Sequence, residues 1–171
     1  HIQTKYMPSN NLLELKLTGQ QGDVMQESMN VAKTLALNLL SEQEKDILFK
    51  NLENNKFKGI HIHCPEGAMK KDGPSAGIAI TMALYSLFTN KKIKNNIALT
   101  GEINLQGNVT EIGGLDCKII GGIKAGVKHF IYPKSNSKDF NDFKEKYKTK
   151  KLENIKFNEV SNVYNVIDLI F

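Results

Sequence analysis

Ser75 places a nucleophilic side chain where the sequence predicts the start of a helix. It follows the turn-forming pair Gly73-Pro74 and precedes a nearly all-apolar segment that ends at Thr89. A serine in this position either caps the helix, by accepting a hydrogen bond from an unpaired backbone N–H, or attacks a substrate. Capping is the commoner use of such a serine. The residue type and position alone do not exclude catalysis, so both interpretations stay open at this point.

A serine hydroxyl becomes a good nucleophile only when a base takes its proton. Lys118 is a candidate base because Ile119, Ile120 and Ile123 predict apolar surroundings, and burial disfavours the charged form of a lysine. The alternative is a surface lysine on an amphipathic helix. Spacing by itself favours that alternative.

Two other patterns invite a chemical interpretation. His61 and His63 share one face of a predicted strand, as two metal ligands would, but no further Cys/His cluster accompanies them. Packed or surface histidines are therefore the better interpretation. The run from Gly121 to Lys128 superficially resembles a phosphate loop, yet its glycines come late in a predicted helix. The sequence predicts neither a metal site nor a nucleotide site.

The elements that must position these residues alternate between strands and helices without strict repetition. This pattern predicts an α+β, or mixed α/β, fold: one compact domain in which helices pack on short mixed sheets. Predicted strands cover 13–17, 59–64, 96–105, 109–112, 129–132 and 155–157, and predicted helices cover 23–40, 75–89, 115–125, 136–148 and a last one from 162. The polar segment 41–55 fits a short helix or a surface loop, with Ser41 and Glu44 at capping-box spacing.

Composition excludes several classes of protein. The net charge of +5 comes from 23 basic and 18 acidic residues that are mixed along the chain, which predicts a solvated surface in preference to a nucleic-acid patch. No apolar run reaches the roughly 18 residues of a membrane-spanning helix, and no targeting signal is visible. The two cysteines, Cys64 and Cys117, suggest a reducing compartment.

Several separated blocks in the chain resemble the proteolytic domain of Lon, the ATP-dependent protease, in the family's order and over about two-thirds of the chain. The Lys-Asp-Gly-Pro-Ser-Ala-Gly form points to the soluble, A-type branch. The matching blocks are Leu17–Gly19, Gly22–Ser28, His61–His63, Pro65–Ala68, Lys71–Gly77, Leu99–Ile103, Gly107 and Ile112–Leu115 followed by Lys118.

The resemblance implies a Ser-Lys dyad, in which Ser75 attacks the scissile carbonyl and neutral Lys118 takes and returns the proton. It also implies that Thr100 orients the lysine amine and that Asp72 helps to shape the site. Backbone N–H groups at the start of the following helix are expected to receive the oxyanion. Gly73 and Gly77 would let the backbone approach a substrate, and Pro74 would fix the entry geometry.

The resemblance has limits. Asp116-Cys117 replaces the family's usual charged pair before the catalytic lysine, and residues 42–58 and those after Pro133 match poorly. The chain begins at His1 and has no Walker motif, so we expect residues 1–171 to be a Lon-type proteolytic domain with a clipped N-terminal edge. The ATPase and substrate-binding domains are expected to be absent. No cofactor is then expected here, and ATP and Mg²⁺ belong to the missing ATPase domain.

For the full-length protein, the resemblance implies hexameric rings that degrade misfolded or regulatory proteins in bacterial cytoplasm or the mitochondrial matrix. DNA binding is left open for that protein and is not predicted for this chain. Two alternatives come from other classes of function: a catalytically inactive assembly or scaffold module, and a nucleic-acid-binding domain that uses the basic charge.

Overall fold

The computed structural model describes residues 1–19, 21–65, 73–147 and 152–171. Strands and helices alternate along much of this part of the chain, as the sequence predicts. The strands are β1 (Gln3–Met7), β2 (Leu15–Thr18), β3 (Gly59–His63), β4 (Ile97–Leu99), β5 (Glu102–Ile103), β6 (Val109–Thr110), β7 (His129–Pro133) and β8 (Lys156–Val160). The α-helices are α1 (Asp23–Asn38), α2 (Glu42–Glu53), α3 (Gly77–Thr89), α4 (Leu115–Lys124), α5 (Ser137–Lys146) and α6 (Val163–Ile170), and a 3₁₀ turn (Lys134–Asn136) precedes α5.

Two three-stranded sheets and one hairpin form the β-structure of the described residues. The first sheet has the order β1-β3-β2, with β1 antiparallel and β2 parallel to β3. The second has the order β4-β7-β8 and is entirely parallel, so α4 and α5 serve as its crossover connections. Strands β5 and β6 pair antiparallel as a hairpin. The α+β prediction of short mixed sheets with packed helices in one compact domain is confirmed.

Two apolar clusters hold these layers together. The larger cluster packs α1, α3 and α6 against the first sheet and one face of the second, with α3 buried along most of its length as predicted. The smaller cluster lies between the second sheet and α4 and α5. It contains Ile112, Leu115, Ile119, Phe130, Tyr132, Phe140 and Phe143.

Two predicted elements differ from the structure, and one strand was not predicted. The predicted strand over 96–105 is divided into β4 and β5, because the Gly101 N–H turns away from the sheet and donates to Ser75 O. Helical periodicity places Val24 on one apolar stripe of α1 with Met29 and Ala32, but Val24 is 46% exposed while the other two are fully buried. Strand β1 was not predicted; it is an edge strand with polar residues that pair with β3.

The loop-or-helix alternative for 41–55 resolves as α2. Ser41 is its N-cap, and the capping box with Glu44 is present in both directions. Among the described residues, no helix is both long and apolar enough to cross a lipid bilayer.

Candidate active site

Ser75 lies in a turn just before α3. Gly73 adopts a φ of +128°, which favours glycine, and Gly77 N–H donates to Pro74 O at 3.0 Å to close the turn. The N-cap of α3 is Ala76, and no side chain caps the helix. The capping interpretation of Ser75 is therefore wrong, because the helix begins one residue too late for the Ser75 hydroxyl to serve as its N-cap.

The backbone of Ser75 is held by the break between β4 and β5. Ser75 O accepts hydrogen bonds from Gly101 N–H at 2.9 Å and from Thr100 Oγ1 at 3.3 Å. Thr100 N–H in turn donates to Ile131 O at 3.1 Å on the central strand β7. The irregular backbone at Thr100-Gly101 thus ties the serine to the parallel sheet.

Thr100 contacts the candidate nucleophile, and it also lines the same cavity as Lys118. The hydrogen bond of its hydroxyl goes to the carbonyl of Ser75. That contact fixes the serine backbone. The predicted role of Thr100 in orienting the lysine amine stays a prediction.

Lys118 approaches Ser75 from the first turn of α4. This helix begins after Gly114, whose φ of +68° favours glycine, and Lys118 N–H donates to Gly114 O at 3.1 Å. The Lys118 Nζ to Ser75 Oγ distance is 3.5 Å. Two side chains chosen for their chemistry from distant parts of the sequence therefore meet at hydrogen-bond range.

The predicted burial of Lys118 is wrong for this chain, because the residue is exposed. Successive helical residues point about 100° apart, so Ile119 can face the smaller cluster while Lys118 faces the rim. Ile120 and Ile123 are only partly buried. Within the described residues, no carboxylate forms an ion pair with Lys118, which leaves its amine available to Ser75.

A cavity of about 240 Å³ opens beside the pair. Its polar groups at the Ser75 end are the candidate dyad and Thr100, while most of its wall is apolar. Burial, together with the nearby charge of Glu159, raises the pKa of Tyr132 in that wall to about 12. The phenol therefore stays neutral at ordinary pH. The cavity is lined by Ser75, Ala76, Ala98, Leu99, Thr100, Leu115, Lys118, Ile119, Phe130, Ile131 and Tyr132.

The remaining predicted site residues have different outcomes. A Cβ on Gly77 would lie 2.7 Å from Ile103 Cγ1, so this glycine is needed for close packing of α3 on β5. That packing explains Gly77 better than the predicted approach to a substrate. A Cβ on Gly73 would meet nothing within 4 Å, which agrees with an open surface there. Pro74 belongs to the turn before Ser75, and Asp72 lies outside the described residues.

The two weaker chemical patterns have ordinary structural explanations. His61 Nε2 and His63 Nδ1 each lie 2.8 Å from Thr18 Oγ1, so one hydroxyl partners both rings. The described residues contain no group of three or more potential metal-binding side chains. In the segment from Gly121 to Lys128, a Cβ on Gly122 would lie 2.5 Å from Phe130 Cε1, and Gly126 follows the end of α4 with a φ of +85°.

The two cysteines, Cys64 and Cys117, form no disulfide with each other. Cys64 is buried in the larger cluster, whereas Cys117 is exposed beside Lys118. The Cys117 N–H donates a hydrogen bond to Asp116 Oδ1 at 2.8 Å. The Asp116-Cys117 pair therefore belongs to the solvent-facing first turn of α4.

One buried polar residue near the site was not singled out from sequence. Asn136 is 1% exposed, and its side-chain amide bonds both the N–H and the C=O of Ile112, just before α4. The partners are 24 positions apart. No local pattern signals such a contact, since an asparagine at a helix start is usually a cap or turn residue.

Comparison with known proteins places the chain in a family. The model of the "Lon protease (S16) C-terminal proteolytic domain" matches residues 1–171. A Lon protease of Fervidobacterium nodosum is 38% identical over 99% of this chain and 19% of its own length. A Lon protease of Borrelia duttonii is 45% identical over 92% of this chain and 18% of its own length.

An animal relative matches as well. A mitochondrial Lon protease homolog of Drosophila melanogaster is 47% identical over 75% of this chain and 12% of its own length. The chain thus spans less than a fifth of the length of these curated relatives.

Proposed function

This chain belongs to the Lon protease family as its C-terminal proteolytic domain, and we propose that it hydrolyses peptide bonds with Ser75 as nucleophile and Lys118 as general base. The observation that carries the proposal is the 3.5 Å distance between Lys118 Nζ and Ser75 Oγ at the edge of a largely apolar cavity. A serine and a lysine in hydrogen-bond range are the minimum that base-assisted acyl transfer requires.

In the first half of the reaction, the unprotonated form of Lys118 takes the proton of Ser75 Oγ as the oxygen attacks the scissile carbonyl carbon. A tetrahedral intermediate forms, and its collapse breaks the C–N bond. The protonated lysine returns the proton to the leaving amine. The acyl group stays on Ser75 as an ester.

In the second half, Lys118 removes a proton from water as the water oxygen attacks the ester carbon. Collapse of the second tetrahedral intermediate releases the carboxylic acid, and the lysine returns the proton to Ser75 Oγ. The net reaction consumes one water and cleaves one peptide bond.

The oxyanion of each intermediate needs donors near Ser75. The backbone N–H groups of Ser75 and Ala76 donate to no other group within the described part of the chain. They precede α3, whose start carries a partial positive charge from the helix dipole. We assign these two N–H groups as oxyanion donors, which typically contribute about 10²–10³-fold each to kcat.

The properties of the whole protein follow from the family and remain proposals. We propose unfolded or misfolded proteins as substrates, a hexameric ring as the assembly, and ATP with Mg²⁺ as cofactors of sequence outside this chain. One of the relatives is named as a mitochondrial protein. The compartment is accordingly the mitochondrial matrix for a eukaryotic source and the cytoplasm for a bacterial one.

Hydrolysis of a fluorogenic peptide by the natural protein that carries this chain tests the proposal. Ser75→Ala is expected to abolish cleavage, and Ser135→Ala, which alters an exposed serine outside the cavity, is the matched control. Correctly assembled protein whose cleavage survives Ser75→Ala would refute the enzyme assignment. Absence of any cleavage by the wild-type protein would favour the scaffold alternative. Salt-dependent binding of DNA or RNA would favour the nucleic-acid alternative.

A further inference from the structure

Asn136 holds the backbone of Ile112 from both sides. Asn136 Oδ1 accepts from Ile112 N–H at 3.0 Å, and Asn136 Nδ2 donates to Ile112 O at 2.8 Å. This pairing reproduces the two hydrogen bonds that a neighbouring strand would supply. The backbone at Ile112 is therefore hydrogen-bonded although it lies beyond β6, where strand pairing has ended.

The orientation of the Asn136 amide is fixed by a third partner. Nδ2 also donates to Asp139 Oδ2 at 2.7 Å. Because an ionised carboxylate only accepts hydrogen bonds, the NH₂ group must face Asp139, and the amide oxygen must then face Ile112 N–H. Asn136 is therefore locked in the one orientation that bonds both backbone groups of Ile112.

The segment between Ile112 and α4 has little other means of fixing its direction. It consists of Gly113 and Gly114, and a Cβ on either would meet no atom within 4 Å. Glycine restricts the backbone less than any other residue. The path into α4 is thus determined at its two ends, by Ile112, whose backbone bonds Asn136 and whose side chain is buried, and by the buried side chain of Leu115.

We propose that Asn136 is a positioning residue that sets the start of α4 and so holds Lys118 at reacting distance from Ser75. This inference rests on the proposed function and deepens it. Lys118 lies in the first turn of α4, and its own N–H bonds Gly114 O, so movement of the Gly113-Gly114 segment carries the lysine with it. A displacement of about 1 Å at a reacting group can cost roughly 10²-fold in rate.

The kinetic test is Asn136→Ala in the natural protein, assayed by fluorogenic-peptide hydrolysis. We expect kcat to fall by about 10–100-fold with little change in KM, because the base is displaced while the substrate-contacting surface is kept. Leu52→Ala, a buried change on α2 outside the cavity, is the stability control. The two variants are compared at temperatures equally far below their Tm values. Equal losses of kcat under these conditions, or an unchanged kcat in Asn136→Ala, would overturn the proposal.

Asp139→Ala separates the two contacts of Asn136. It removes the carboxylate but leaves both bonds to Ile112 available, so we expect a smaller loss of kcat than in Asn136→Ala. A larger loss of kcat in Asp139→Ala than in Asn136→Ala would show that Asp139 affects the site by a route other than Asn136, and the proposed action through Ile112 would be refuted.

A double-mutant comparison shows whether Asn136 acts through the lysine. The readout is the rate at which a fluorophosphonate labels Ser75, which can be followed without turnover. In the otherwise wild-type protein, Asn136→Ala should slow the labelling. When it is added to Lys118→Ala, it should slow the labelling no further. The same factor in both backgrounds would mean an effect independent of Lys118, contrary to the proposal.

Hydrogen exchange gives a readout that does not depend on peptidase activity. Deuterium uptake over residues 112–120 should rise more in Asn136→Ala than in Leu52→Ala at matched Tm. If Ser75→Ala leaves hydrolysis intact, the proposed function fails while this measurement still decides whether Asn136 orders the start of α4. Unchanged uptake over 112–120 would refute the positioning claim.

Discussion

Lys118 Nζ lies 3.5 Å from Ser75 Oγ, although the two residues are 43 positions apart and belong to different parts of the fold. Ser75 is held through Thr100 and Gly101 at the end of β4, and Lys118 is carried by α4, which leads into β7. Strands β4 and β7 are direct neighbours in one parallel sheet. The distance between the two side chains is therefore set by this sheet and by the connection that crosses it.

Lys118→Arg tests whether the lysine acts as a base or only as a cation. Arginine keeps a positive charge and hydrogen-bond donors, but it cannot lose its proton at ordinary pH. We expect kcat for a fluorogenic peptide to fall by about 10²–10⁴-fold, the range of general-base catalysis. Lys124→Arg, an exposed change on the same helix, should keep wild-type kcat. An active Lys118→Arg variant would exclude a lysine base.

Structural features that depend on residues close together in the sequence could be predicted. The apolar run of α3 indicates a buried helix, Ser41 with Glu44 indicates the capping box of α2, and Gly126 marks the end of α4 through its positive φ. Each depends on neighbours within one or two turns of chain. The type and spacing of Ser75 and Lys118 also single them out, but no local rule predicts the distance between them.

Features that depend on distant partners could not be predicted. The Thr100-Gly101 break interrupts a pattern that suits one continuous strand, and its reason is the Ser75 carbonyl 25 positions away. Asn136 bonds a backbone that precedes it by 24 positions. The exposure of Lys118 depends on how α4 is rotated on the sheet, which adjacent isoleucines do not determine.

Gly77→Ala is expected to destabilise the protein through overpacking. The added Cβ would lie 2.7 Å from Ile103 Cγ1 and 3.2 Å from Ser28 Oγ, so α3 or β5 must shift. We expect a loss of about 1–3 kcal/mol in the free energy of unfolding, measured by urea denaturation.

Ile103→Ala provides the matched test of that explanation because it removes the clashing Cγ1. The double variant Gly77→Ala/Ile103→Ala should cost less than the sum of the two single changes. Strict additivity would show that the clash with Ile103 is not the cause.

Ser41→Ala should remove the N-cap of α2. Glu44 N–H donates to Ser41 Oγ at 3.1 Å, and this bond has no replacement in alanine. We expect about 1 kcal/mol less free energy of unfolding in urea denaturation, with Ser41→Asn close to wild type because asparagine caps equally well. A loss of the same size in Ser41→Asn would mean that the capping bond is not what stabilises α2.

Glu44 makes stability depend on pH in the acidic range. The hydrogen bond from Ser41 N–H, with a further contribution from Lys91 at 3.2 Å, lowers the pKa of Glu44 despite an opposing effect of burial. A carboxyl whose pKa is lower in the folded state binds its proton less readily there than in the unfolded state. Its contribution is therefore present above the unfolded-state pKa of about 4.3 and is lost as pH falls through the folded-state pKa.

Glu44→Gln isolates this charge, since glutamine can still accept the capping-box hydrogen bond. Urea denaturation should show wild type more stable than Glu44→Gln at pH 7, with the difference shrinking as pH falls toward 3. Lys91→Met should keep most of the wild-type pH dependence, because the bond from Ser41 N–H is the larger cause of the lowered pKa of Glu44. A wild-type advantage over Glu44→Gln that stays constant from pH 7 to 3 would show that the Glu44 charge does not stabilise α2.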